Sequence, residues 1–231
     1  MSSGLPTWGE TAKGVKIVDG DGNVAGTEDN PILVRPYSPL ALNGVNLLLG
    51  DTAAADAFSR VRVSTPTGIF SSQLQYDTSP LLWESSIANN SGSATVAHVP
   101  AESAVRLTVG ANDVVVRQSR AYYRYQPGKS QMILCTFGGM TLTNGVIRRV
   151  GYFDGGNGIF YQVNGSVLSF VRRTNTSGTP VDTSIPQSSW NVDKLDGTGA
   201  SEITLDPTKA QIVIIDLEWL GVGRVRCGFV I

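Results

Sequence analysis

The sequence predicts an all-β protein: a two-sheet β-sandwich, jelly-roll or lectin-like, preceded by an extended N-terminal arm. Three observations predict it. From Phe58 onward, short apolar runs alternate with period two, the spacing of a strand with one buried face. Clusters of turn formers such as DGGNG, VNGS, NTSGTP and LDGTGAS separate those runs. No stretch sustains the helical period over three turns, and dense strands without helices pack as two sheets.

Residues 1–55 read as the arm. VDGDGNVAGTEDNP is turn chemistry with little to bury. Short apolar beads interrupt it: VKIV (15–18), PILVRP (31–36) and VNLLL (45–49). Such beads dock as added strands on another surface or pad the chain's own main domain. The candidate docking residues are Ile32, Leu33, Val34, Val45, Leu47 and Leu48.

The domain of residues 56–231 opens with FSRVRVS, which sets Phe58, Arg60 and Arg62 on one side and Val61 and Val63 on the other. Strands are then expected at 79–87, 94–99, 103–109, 113–119, 121–127 and 130–137. Further strands are expected at 145–153, 158–163, 166–173, 210–219 and 223–231. GIFYQVNGSVLSFV is the clearest hairpin, with Asn164-Gly165 as a type I′ turn signal. QSSWNVDKLD has room for one helical turn. The last residues, RCGFVI, form an apolar strand with no polar tail, so the natural chain is expected to continue beyond residue 231.

A net charge of −1 gives no global field to recruit nucleic acid or anionic lipid. The cations are thirteen Arg against five Lys, a bias that suits contact surfaces, where Arg is enriched and Lys depleted. Arg60, Arg62, Arg124, Arg148, Arg224 and Arg226 are the candidate oligomer contacts. Cys135 and Cys227 sit in strand-like runs and read as buried free thiols. The opening MSSGLPTWGE has neither the basic nor the apolar region of a signal peptide, and no apolar run reaches membrane-helix length.

Catalytic and metal chemistry find few footholds. Asp19, Asp21 and Asn23 have the spacing of a calcium loop, but Val24 stands where Gly is needed and Asn30 where a bidentate Glu is needed. His98 is the lone histidine, which excludes a multi-histidine zinc site. There is no nucleophile elbow, P-loop or dinucleotide fingerprint. Asp216 and Glu218 share one face of a strand, at a spacing that would suit the two carboxylates of a glycosidase. Arg224 and Arg226 on the next strand are their natural cross-strand partners, which makes structural ion pairs the ordinary outcome. Tyr123 and Tyr125, with Tyr152, Phe153, Phe160 and Tyr161, would serve a sugar-stacking platform or a sandwich core. Neither a cofactor nor a metal is expected.

Taken together, DAFSRVRVSTPTGIFSSQLQYD, LLWESS, YRYQPGKSQMILCTF, RRVGYFDGGNGIFY, VDTSIPQSSWNVDKLDGTG and AQIVIIDLEWLGVGRVRCGFVI resemble a group of tailed-bacteriophage virion structural proteins, fibre-like, tail or head-appendage. The resemblance covers residues 56–231 and brings no catalytic residues with it. It implies a non-enzymatic fibre, spike or adaptor subunit, with DAFSRVRVSTP as the junction between a docking arm and a β-rich body. The implied partners are other virion proteins (portal, neck, tail or capsid) and further copies of the chain, a trimer being common for fibres. The implied location is the virion, assembled in the host cytoplasm. A carbohydrate-binding module for a host glycan is the alternative, and a glycoside hydrolase using Asp216 and Glu218 a more distant one.

Overall fold

A computed structural model describes residues 67–126, 129–218 and 223–230. The arm, its docking residues Ile32 to Leu48, the Asp19 loop, and Arg60 and Arg62 lie outside the described residues. Among the described residues the chain is all-β, as the period-two pattern predicts. Eleven strands are connected by turns and two single 3-10 turns.

The body is a pair of antiparallel sheets. β6 (Ile147–Phe153), β7 (Gly158–Asn164), β8 (Val167–Thr174) and β9 (Val181–Pro186) form a meander in the order β6-β7-β8-β9. β5 (Gln131–Phe137), β10 (Gln211–Glu218) and β11 (Arg224–Val230) form the second sheet, with β10 in the middle. Alternate residues of each central strand point at the other sheet. Tyr161, Val163, Leu168 and Phe170 from the meander meet Val213, Ile215 and Leu217 of β10 in one buried cluster. Each such aliphatic side chain contributes about 1.5–3 kcal/mol on burial. Around Tyr161 the rings of Phe137, Phe170 and Phe229 pack with centroids 5.1–5.7 Å away, within the range where edge and offset contacts are attractive.

The loop after β9 closes one end of the sandwich. A 3-10 turn at Gln187–Ser189 sits where the sequence has room for a helical turn, and Trp190 follows it with its ring 5.1 Å from Phe170. Leu195 then enters the core from a positive φ of +51°. Hydrogen bonds hold it there: its amide donates to Asp193 (2.8 Å), and its carbonyl accepts from Gln187 Nε2 (2.9 Å) and the Leu205 amide (2.8 Å).

The first four strands form two separate ribbons. β1 (Trp83–Ala88) pairs with β4 (Val114–Ser119), and between them in sequence β2 (Thr95–Val99) pairs with β3 (Ala104–Thr108). Asp113 pins the base of the inner hairpin by accepting from Ser91 and from the Gly110 amide. No residue of these four strands is buried.

Three local expectations change. Residues 121–126 join no ladder, although their alternation survives: Tyr122 is exposed while Tyr123 and Tyr125 are half-buried. Side chains take up the carbonyls that a neighbouring strand would have used. The Tyr152 hydroxyl donates to the Tyr123 carbonyl, and Gln131 Nε2 donates to that of Arg124. β9 was not expected, because VDTSIP is polar and ends in proline; it is an edge strand, where proline is tolerated. The β7–β8 turn is centred one residue later than the Asn164-Gly165 signal suggests. Asn164 pairs with Val167, leaving Gly165-Ser166 as the loop, with Gly165 at φ +57° and no positive φ at Ser166. That is the Gly-first arrangement of a type II′ turn.

Candidate functional site

Asp216 and Glu218 sit at the end of β10, as the sequence predicts, and their register partners on β11 are Arg226 and Arg224. Arg226 Nη2 donates to Asp216 Oδ2 at 2.6 Å. Both carboxylates are buried, Asp216 at 4 % exposure and Glu218 at 1 %. The middle strand of a three-stranded sheet is covered from both sides here, which strand spacing alone could not reveal. A two-carboxylate hydrolase needs both groups facing a substrate. Here one is tied to a guanidinium and the other has almost no exposed surface.

At this end the sandwich opens into a cleft of about 290 Å³, bounded by Tyr125, Tyr152, Ile159, Arg172, Val225 and Glu218 itself. Its walls come from both sheets and from the 121–126 segment. Burial is the main reason the Tyr152 phenol titrates above its usual range, followed by Tyr122 and Asp154 nearby. The aromatics gathered in the sequence therefore divide. Tyr161 and Phe160 are wholly buried on opposite faces of β7, and Tyr123 is half-buried. Of the set, Tyr125 and Tyr152 share the cleft wall.

The outer face of the meander holds a cluster that sequence reading missed. Phe160 is fully buried there, with the guanidinium carbons of Arg149 and Arg173 at 5.4 and 5.3 Å from its ring centroid. Arg149 Nε donates to Gln162 (2.8 Å), and Arg173 forks onto Asp182 at 2.7 and 2.8 Å. The fork pulls the Asp182 carboxyl below its usual range and holds the Arg173 proton more tightly, while burial and the Arg173 charge lower Arg149. Two cations and one anion thus pack over an aromatic ring, with one positive charge in excess. The pairings β6-β7, β7-β8 and β8-β9 bring these residues together, so nothing short of the sheet order would have found them.

The four described arginines of the candidate contact set have different employments. Arg226 holds Asp216, and Arg148 donates to the carbonyl (2.7 Å) and hydroxyl (3.1 Å) of Thr141. Arg124 and Arg224 are exposed. The larger unsatisfied surface is apolar: Ile87, Leu107, Val114 and Val116 of the ribbons are each 43–55 % exposed. The ribbons are otherwise fastened at few points. Trp83 donates to Ser72 (2.7 Å) and packs on Phe70 (5.5 Å), and His98 Nε2 bonds the Leu74 carbonyl (2.9 Å).

Cys135 and Cys227 are free and pack against the core from the strands flanking β10. Burial raises both thiols, Cys227 to about 12. Among the described residues no group of three or more His, Cys, Asp or Glu side chains could hold a metal ion, and no helix is long and apolar enough to cross a membrane. No protein-family model, curated protein or solved structure matches the chain.

Proposed function

We propose that this chain is a non-enzymatic structural subunit of a tailed-bacteriophage particle: a fibre, spike or adaptor protein that docks through residues 1–55 and associates with further copies of itself. The observation that carries this reading is the imbalance between the two halves of the described chain. The β5–β11 sandwich has a packed aromatic core, whereas β1–β4 expose apolar side chains and bury none. Two-stranded ribbons are marginal in water without a surface to lean on. Exposed apolar surface of this kind is typical of chains that complete their structure by contact. The engagement of Asp216 by Arg226 and the burial of Glu218 also favour a structural use of the acidic pair.

The test is a map of intact particles of the encoding phage with a small tag at residue 1. Density for the tag at a fixed, symmetric set of positions on the neck, tail or capsid is expected. Particles that lack the protein would end the proposal.

A further inference from the structure

We propose that copies of this chain join through the β1–β4 ribbon, with β4 of one copy pairing antiparallel with β1 of the next around a closed ring. This deepens the reading of the chain as an assembly subunit by naming the surface and the partner, a second copy.

The edges of the ribbon carry the inference. Among the described residues β1 pairs only with β4, so one edge of each strand has its amides and carbonyls unpaired. Proteins guard such edges with charge, proline or a bulge. Three of the four sandwich edges do so: β6 carries Arg148 and Arg149, β11 carries Arg224 and Arg226, and β9 carries Asp182 and ends in Pro186, while β5 carries no charge. β4 instead offers Val114, Val115 and Val116 in a row. Its one charge, Arg117, is turned back onto the Thr78 carbonyl and lies 5.1 Å from the Trp83 ring centroid.

The pattern of charge selects a second copy as the occupant. β1 and β4 are antiparallel, so rotation about an axis running along the strands sets β4 against a neighbour's β1, again antiparallel. Apart from the stagger that closure imposes, each contact repeats a pair the chain already makes within itself. Val114 meets Ala88, Val116 meets Ser86, and Gln118 meets Glu84, to which it already donates at 2.5 Å. No like charges meet. Arg120, 4.0 Å from Glu84 within one chain, lies at the same end. The face bearing Val114, Val116, Ser86 and Ala88 has small side chains that suit a narrow ring interior, with Glu84 and Gln118 at its end. On the opposite face Phe70 packs on Trp83 at one end, and Ile87 at the other end is 45 % exposed. A two-fold contact would close one edge and leave the other open, whereas a ring closes both.

The test uses the full 231-residue chain. Its mass in solution, by native mass spectrometry, should be a fixed multiple of 24.5 kDa. Val116→Lys, at an exposed position, should give the single-chain mass while retaining the near-ultraviolet circular dichroism of the sandwich aromatics. A single-chain mass for the unsubstituted protein, or an unchanged multiple for Val116→Lys, would overturn the proposal. In addition, Ser86→Cys and Val116→Cys chains, co-expressed and oxidised, should form a disulfide-linked pair. If Val116→Cys links to itself alone, the contact is two-fold and the ring is refuted. A chain that forms the ring yet is absent from particles would refute the virion reading and leave this inference standing. A particle-bound chain without the ring would do the reverse.

Discussion

Arg226 and Asp216 face each other across the β10–β11 hairpin, with the guanidinium 2.6 Å from a carboxylate that is only 4 % exposed. A carboxylate this buried is tolerable because a hydrogen-bonded cation accompanies it. Arg226→Met should therefore destabilise the fold, by at most about 3–5 kcal/mol, since it removes the guanidinium bonded to a buried carboxylate. Asp216→Leu combined with Arg226→Met should recover most of that loss. Urea denaturation of the three proteins measures both effects. Equal stability of the single variant and the parent would show that the pair carries no structural weight.

Gly158 starts β7 at φ +140°, and a Cβ there would lie 2.3 Å from Phe153 Cα across the ladder. The contact is with backbone of the paired strand, so no side chain can rotate away. Gly158→Ala should cost more than the roughly 1 kcal/mol of an ordinary backbone mismatch and should lower the thermal midpoint measurably.

Acid should weaken the protein in a defined window. Hydrogen bonds hold Asp113, Asp154, Asp182, Asp193, Asp196 and Asp206 below the usual carboxylate range. A lowered folded-state value means the unfolded chain takes up protons first as pH falls. The contribution is fully present above the unfolded value of about 3.9 and is lost as pH drops through the folded values. The thermal midpoint should be flat between about pH 5 and 7 and fall below about pH 4. A midpoint that rises on acidification would contradict these assignments.

The two thiols should be silent in the folded state. Burial raises both, Cys227 to about 12, and only the thiolate reacts quickly. At pH 8, iodoacetamide should modify Cys135 and Cys227 slowly in the native protein and rapidly in denaturant, as read by mass spectrometry.

Most of the sandwich was legible because period two survives wherever a strand has one face on the core, as in MILCTF. AYYRYQP misled because alternation reports which side is inward and says nothing about whether a neighbouring strand exists. Its carbonyls are met by Tyr152 and Gln131 side chains instead. VDTSIP was invisible for the converse reason: an edge strand can be polar and still complete a ladder with β8. The pairing of Asp216 with Arg226 could be read from a short hairpin with opposite charges in register. The Arg149–Phe160–Arg173–Asp182 cluster could not, because its members come from four strands whose order only the fold supplies.

The central claim, that this chain acts by fastening into a particle through its leading segment, is tested most directly by deleting residues 1–55. The yield of the truncated and full chains in purified particles of the phage proposed to encode them would then be compared. The account predicts full-length chain at constant copy number in the particles, and truncated chain free in solution with the melting transition of the β domain intact. Equal incorporation of the two would contradict it.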